Sequence, residues 1–469
     1  MPSRRSSLKI DTDSSPGNPV FQPATPAPAT RVHRYWSRTE ECMDRGRLRD
    51  LQWDHLQRVV RRAFDHLPIY REKMNQAKVR PEDLKSIEDI RLLPFTEKTD
   101  FMRAYPKGML AVPLKEIVRI HGSSGTTFGK STIVGYTRHD LEIWTELCAR
   151  LVTAAGVTAD DIAQVAFGYG LFTGGFGLHQ GLERVGAAVI PLSGGQTERQ
   201  LQFMKDFEVT TFICTPSYAM LLAESVEKGQ GGVKRADLRL RWGLFGAEPW
   251  TDAARAKIEA GLGLLATDNY GLSELCGPGV SYECLDRCGL HLSEDHFYAE
   301  IIDPATKEPV EEGEVGELVL TSLTREAVPL IRYRTRDLTR LTSKPCSCGR
   351  KVARMSKVLG RTDDMIIVRG VNVFPSQIES VLFQMEHTAP HFQIVLGRKG
   401  AMDTLCVRVE VREEIFRDEM RQLRAIQEEI RERLRAAIGI SMDVELVEPR
   451  SIERFVGKAK RVVDQRGSQ

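Results

Sequence analysis

The chain has 469 residues, 41% hydrophobic and 28% charged, and its 66 basic side chains nearly cancel 64 acidic ones to leave a net charge of +2. That length suits two or three domains, and near-neutrality gives no bulk pull toward nucleic acid or a membrane, so small-molecule partners are expected. No apolar run approaches the roughly 20 residues of a membrane span, the N-terminus lacks an apolar signal core, and nine cysteines, an odd number, fit a reducing cytoplasm better than a disulfide framework.

In chain order, residues 1–30 ("SSPGNPVFQPATPAPAT") read as a disordered tail rich in Ser, Pro, Thr and Ala, with order expected from "HRYWSRTEECM". "DHLQRVVRRAFDHLPIY" places Leu56, Val59, Val60, Phe64 and Leu67 on one helical face, with Asp54 as the N-cap. The glycine- and hydroxyl-rich stretch "IHGSSGTTFGKSTIVGYT" follows at residues 120–137. It nearly matches the Walker pattern G-x-x-x-x-G-K-[ST], but Ser124 stands where that pattern needs glycine and Gly125 is one residue too close. Such clusters also mark ordinary surface loops.

Beyond it, "IAQVAFGYG", "AAVIPLSGG", "TTFICTPS" and "LRWGLFGAE" are strand-length apolar runs separated by helical stretches such as "HDLEIWTELCARLVTAAG". That alternation reads as α/β with largely parallel strands, and several runs end in Gly, Ser or Thr, where such sheets hold ligands. After about residue 300 the strands shorten ("YAEIIDP", "GELVLTSL", "DLTRLTS"). Past "GRTDDM", a β-α-β unit is expected from alternating Leu405, Val407, Val409 and Val411, a helix carrying Leu423, Ile426, Ile430 and Leu434, and "DVELVE". The expected division is a tail at 1–30, a large N-terminal domain at 31–362 and a small mobile α+β C-terminal domain at 363–469.

Ten segments in order, among them "SSGTTFGKST", "GYGLFTGG", "TPSY", "FGAEPW", "YGLSEL", "IRYRTRDLTRL", "GRTDDMIIVRGVNVFPSQIE" and "GKAKRVVD", together resemble the adenylate-forming superfamily, most closely its phenylacetate-CoA ligase branch. The resemblance runs from about residue 34 to the end. It implies an acyl-CoA synthetase-like fold, and activation of an aryl carboxylic acid by ATP to an acyl-adenylate, followed by transfer to coenzyme A. A stand-alone enzyme loading a carrier-protein phosphopantetheine would share the first step, and a degenerate nucleotide-binding protein is a third reading. A homodimer is implied by the resemblance alone.

By the same resemblance Ser123, Ser124, Gly125, Thr126, Thr127, Gly129 and Lys130 form the pyrophosphate loop, and Gly246, Ala247 and Glu248 line the adenine. Tyr270 stacks on it, Glu274 helps hold Mg²⁺, Asp337 accepts the ribose hydroxyls and Arg361 is its companion cation. Asp363 is the hinge, and Lys458 reaches the carboxylate and α-phosphate. These parts suit a reaction whose barriers are mainly electrostatic. Tyr169 and Phe172 are candidates for a flat aromatic pocket, since aromatics at a strand end fit such an acid and equally fit plain core. Two departures stand out: Phe128 looks like an insertion, and Ser131 replaces the family's usual proline.

A further constellation comes from "ECLDRCGLH" and "PCSCGR". Cys284 and His291 with Cys346 and Cys348 make a four-ligand set suited to structural zinc, with Cys288 able to replace Cys284.

Overall fold

The computed structural model describes residues 34–466 apart from 128–129, 369–370, 386, 400–401, 413–414, 416–419 and 454–460. The tail expected over 1–30 lies outside these residues. Among the described residues no helix is long and apolar enough to cross a membrane.

The first long helix, Arg45–His66, starts well before Asp54. Asp44 is its cap, accepting from the Gly46 N–H at 2.9 Å. Leu48 and Gln52 continue the buried face of Leu56, Val59 and Val60 N-terminally, a continuation that the intervening charged residues mask in the sequence. Asp54 is mid-helix and ion-paired with Arg58.

A nine-stranded sheet forms the centre. Its parallel half runs Ala188–Ile190, Ile162–Val165, Thr211–Cys214, Trp242–Gly246 and Leu265–Leu272. The first four of these are the expected apolar segments, while Leu265–Leu272, more polar, is not among them; Thr211–Cys214 is buried at every position, as a parallel strand covered on both faces must be. The sheet then turns antiparallel through Gly277–Glu283, Leu290–Leu292, Arg354–Met355 and Leu341–Thr342. A four-stranded antiparallel sheet, Phe297–Ile302, Gly316–Ser322, Tyr333–Thr339 and Gly360–Arg361, packs beside it. The fold is thus α/β as expected, with the parallel strands confined in this region to one half of the central sheet and antiparallel pairing in the rest.

Towards the C-terminus a four-stranded sheet orders Asp443–Val447, Met402–Val411, Thr388–Lys399 and Val462–Asp464. The strands Met402–Val411 and Asp443–Val447 are parallel and joined through the helix Met420–Ile438, the expected β-α-β crossover. Leu405, Val407, Val409 and Val411 are buried on the strand, and Ile426, Ile430 and Leu434 on the helix. Leu423, also expected on that face, is only half-buried.

Candidate active site

The glycine-rich stretch is a hairpin rather than a loop. Strands Arg119–Thr127 and Lys130–Tyr136 pair antiparallel, with a shift in register between Gly122 and Thr126. Extended backbone brings Thr126 opposite Ser131 and Thr127 opposite Lys130; Phe128 and Gly129 lie outside the described residues. The side chains of Ser124, Gly125, Thr126, Thr127 and Lys130 also lie outside the description. Ser123 sits at the shift, its hydroxyl accepting from the Thr132 N–H at 3.4 Å.

The strand Trp242–Gly246 ends against Asn269. A Cβ on Gly246 would come within 2.4 Å of the Asn269 carbonyl oxygen, so glycine is required there. Ala247 follows with φ +73°, a left-handed conformation uncommon outside glycine, which turns the backbone sharply at the carboxyl end of the parallel strands. The Glu248 carboxylate accepts from the Ser217 N–H at 2.6 Å, at the start of the helix Pro216–Glu227. Its side chain therefore reaches the helix N-terminus while lining the cleft described below.

Asp337 is the most heavily engaged carboxylate of the constellation. It is buried, accepts from the Tyr270 hydroxyl at 2.6 Å and from Arg361 Nη1 at 2.9 Å. The strand pairing that places Asp337 opposite Arg361 fixes the second contact. Its orientation is set by Arg336, whose φ of +68° makes a bulge, and by the Thr335 hydroxyl, which accepts from the Asp337 N–H at 3.1 Å. Burial and the adjacent Asp337 push the Tyr270 hydroxyl well above the ordinary tyrosine range, so it stays a donor.

Arg361 is shared. Its Nε and Nη2 meet the two carboxylate oxygens of Asp363 at 2.8 and 3.0 Å, a fork-on-fork pair. Burial opposes its charge, but Asp363 and Asp337 together hold the guanidinium protonated. Glu274 is buried just beyond the strand Leu265–Leu272 and faces the Tyr333 hydroxyl, which burial and Glu274 push well upward.

A cavity of about 510 Å³ opens beside Arg361. Glu248 and Ser217 line it from one side; Asp363, Ser376, Glu379 and Arg461 line it from the other. Lys458 belongs to the segment just before Arg461 and lies outside the described residues. Of the two aromatic pocket candidates, Tyr169 is half-buried, its hydroxyl 3.0 Å from His179 Nδ1 and its ring edge-on to Phe176. Phe172 is 47% exposed.

Residues 152–324 match the family described as AMP-binding enzyme, and 370–466 match the AMP-binding enzyme C-terminal domain. A phenylacetate-coenzyme A ligase of Thermus thermophilus is 47% identical over 440 residues, covering 91% of this chain and 98% of the relative. Its namesake in Escherichia coli K12 is 48% identical, covering 89% and 95%. The chain belongs to the phenylacetate-CoA ligase family.

A solved structure of 2-hydroxyisobutyryl-CoA ligase in its postadenylation state, with an acyl-AMP bound, superposes on this ligase at TM-score 0.87, 31% identity and 95% coverage of both chains. The same protein in its thioesterification state, with CoA, gives 0.69 at 95% and 94% coverage. Near-equal coverage with a lower score is what a rotated domain produces, so this ligase is arranged as its relative is after adenylation.

The cysteine segments converge. Cys284, His291, Cys346 and Cys348 are buried, with all their ligand atoms within 4.8 Å of one another. Cys284 and Cys346 have sulfurs 3.9 Å apart, and Cys348 Sγ lies 3.5 Å from His291 Nε2. Tetrahedral zinc with bonds of about 2.3 Å to sulfur and 2.0–2.1 Å to nitrogen would require edges of about 3.8 and 3.6 Å. The donor set and its spacing fit that ion. Cys288 is buried in the same cluster but outside the four-atom set. Tyr35 donates to the Cys348 carbonyl at 2.5 Å and Arg350 pairs with Glu41 at 2.6 Å, tying the cysteine knuckle to the segment that precedes the helix Arg45–His66.

Sequence reasoning missed Tyr333, Thr335 and Glu379. Tyr333 and Thr335 stand in "RYRTRD" two apart, and with Asp337 they repeat at strand spacing, a signal the arginines between them obscure. Nothing local marks Glu379, which enters the site only through tertiary packing.

Proposed function

We propose that this ligase activates a phenylacetate-like aryl acid and joins it to coenzyme A. The acid's carboxylate oxygen attacks the α-phosphorus of ATP, and pyrophosphate leaves with the bonding electron pair. The coenzyme A thiol, losing its proton, then attacks the acyl carbon and AMP departs. The observation that carries this reading is buried Asp337, held by Tyr270 and Arg361 beside a cleft that a second domain closes. A carboxylate so fixed has acceptor capacity left for ribose hydroxyls.

In this reading the hairpin over residues 123–130 receives the departing pyrophosphate through backbone N–H groups and Lys130. Gly246, Ala247 and Glu248 with Tyr270 border the adenine. Glu274 would hold Mg²⁺, which would supply positive charge to offset that of the phosphates, a role that suits a site offering one or two carboxylates. Asp363, paired with Arg361, is the hinge at which the small domain begins. Lys458 acts on the adenylation step, and Tyr169 and Phe172 border the aryl group. Zinc at Cys284, His291, Cys346 and Cys348 staples two loops without taking part in chemistry. Carrier-protein loading shares the first step, but all the curated relatives are named for coenzyme A.

The test is ATP–pyrophosphate exchange across a panel of aromatic and aliphatic acids, with coenzyme A then added to those that respond. Exchange confined to aryl acids and thioester formation with free coenzyme A are expected. An adenylate that only a phosphopantetheine carrier discharges would overturn the acceptor.

A further inference from the structure

The small domain does not simply rest on the large one. The helices Pro216–Glu227 and Asp252–Leu262 contribute Leu222, Ala223, Val226 and Ile258 to an apolar cluster that continues into Phe383 and Phe392 of the small domain. Such a contact is non-directional and specifies no orientation by itself. Two polar contacts at its edge do.

His391 Nε2 lies 3.2 Å from Glu224 Oε1; both atoms are shielded from solvent and the approach lacks hydrogen-bond geometry, so the contact is electrostatic and an ion pair when the imidazole is protonated. Lys257 Nζ sits 5.2 Å from the centre of the Phe383 ring and also feels Glu224 and Arg412. Glu224 thus faces cationic or protonatable groups from both domains. His391 reaches it because the pairing of Thr388–Lys399 with Met402–Val411 shifts register between Thr388 and Phe392, a bulge that redirects a side chain. None of these residues lines the cleft beside Arg361.

We infer that Glu224 and His391 are positioning residues for the adenylation step, holding the small domain in the arrangement that presents its catalytic segment. The inference rests on the two-step reading above. A contact across a face that the domain must leave can favour only the half-reaction run in that arrangement, because an interaction shifts a two-state equilibrium by its differential strength in the two states. Removing either partner takes this shielded contact away only from the docked arrangement. The undocked arrangement, where both are hydrated, is not penalised.

The test uses the full chain and measures two rates separately: ATP–pyrophosphate exchange, and thioester formation from pre-made acyl-adenylate and coenzyme A. Isosteric Glu224→Gln and the pair His391→Ala and His391→Gln are compared with wild type, with thermal melts to verify folding. Exchange is expected to fall on the order of tenfold while thioester formation stays within about twofold. The double variant Glu224→Gln/His391→Ala should lose no more than the worse single one, as expected for residues acting through one contact. Equal loss in both half-reactions, loss confined to thioester formation, additive losses or no loss would each overturn the assignment. Absence of exchange in wild type with every acid would instead sink the two-step reading itself, before any variant is compared.

Discussion

The wall around Asp337 and the face under the small domain are built on opposite plans. Asp337 is buried on a paired strand, with Tyr270 and Arg361 fixed to it at 2.6 and 2.9 Å. The small domain meets the large one through an apolar cluster and a few edge contacts such as His391 with Glu224. On the proposed reading, a group that holds a nucleotide in one pose through both half-reactions gains from rigid, directional bonds. A domain that must leave its seat between them cannot be held so strongly. Arg361 joins the two plans, bonded to Asp337 on one side and forked onto Asp363 on the other.

The sharpest way to separate the two regions is Lys458→Ala. Adenylation measured by pyrophosphate exchange should fall about 1,000-fold, while thioester formation from pre-made adenylate persists. Equal loss in both would erase the distinction between a fixed wall and a domain that serves one step. Asp337→Asn should cost about 100-fold, because the amide turns an NH₂ toward donors that need an acceptor. Its effect should fall on both half-reactions, since the ribose stays in place throughout; a loss limited to one would refute the fixed-wall view.

Cys346→Ser tests a third, purely structural region. It should lower unfolding free energy by about 2 kcal/mol, read by chemical denaturation, with kinetics of surviving enzyme little changed. Metal analysis of chelator-washed wild type should return about one zinc per chain. A metal-free, equally stable protein would remove zinc from the account.

The smallest effect is pH-dependent. Burial raises the Glu379 carboxyl from 4.5 to about 7, Glu248 across the cleft adds to this, and Arg461 opposes it. Arg361, Asp363, Asp464 and Arg466 line the same cleft. A carboxyl raised by docking favours its protonated form there. The docked arrangement is therefore fully supported below the ordinary carboxylate range and loses that support as pH rises through about 7. Between pH 6 and 8 the docking equilibrium, and with it the ratio of exchange to thioester formation, should drop by up to about tenfold, and Glu379→Gln should flatten the slope. A steeper slope in that variant would contradict the role given to Glu379.

Much of this protein was legible before folding. Strand-length apolar runs interrupted by helices predict four strands of the parallel half of the sheet, because a strand covered on both faces must be apolar throughout. Gly246 was named from its motif, and the 2.4 Å approach of the Asn269 carbonyl explains why no larger residue fits. The four metal-ligand candidates were chosen from residue chemistry, and the fold draws them together. What misled was local. Asp54 looked like a cap because charged residues hid the earlier turn, and the glycine-rich stretch looked like a loop because composition does not reveal the hairpin pairing of residues 119–127 with 130–136.

The sequence by itself determined which groups are available and in what order, since side-chain chemistry and the period of burial are written residue by residue. Only the tertiary structure decided that Tyr270 would donate to Asp337, that Arg361 would be divided between Asp337 and Asp363, and that His391 would meet Glu224. Those contacts join residues far apart in the chain, and their geometry comes from strand register, bulges and domain docking, which no local pattern encodes.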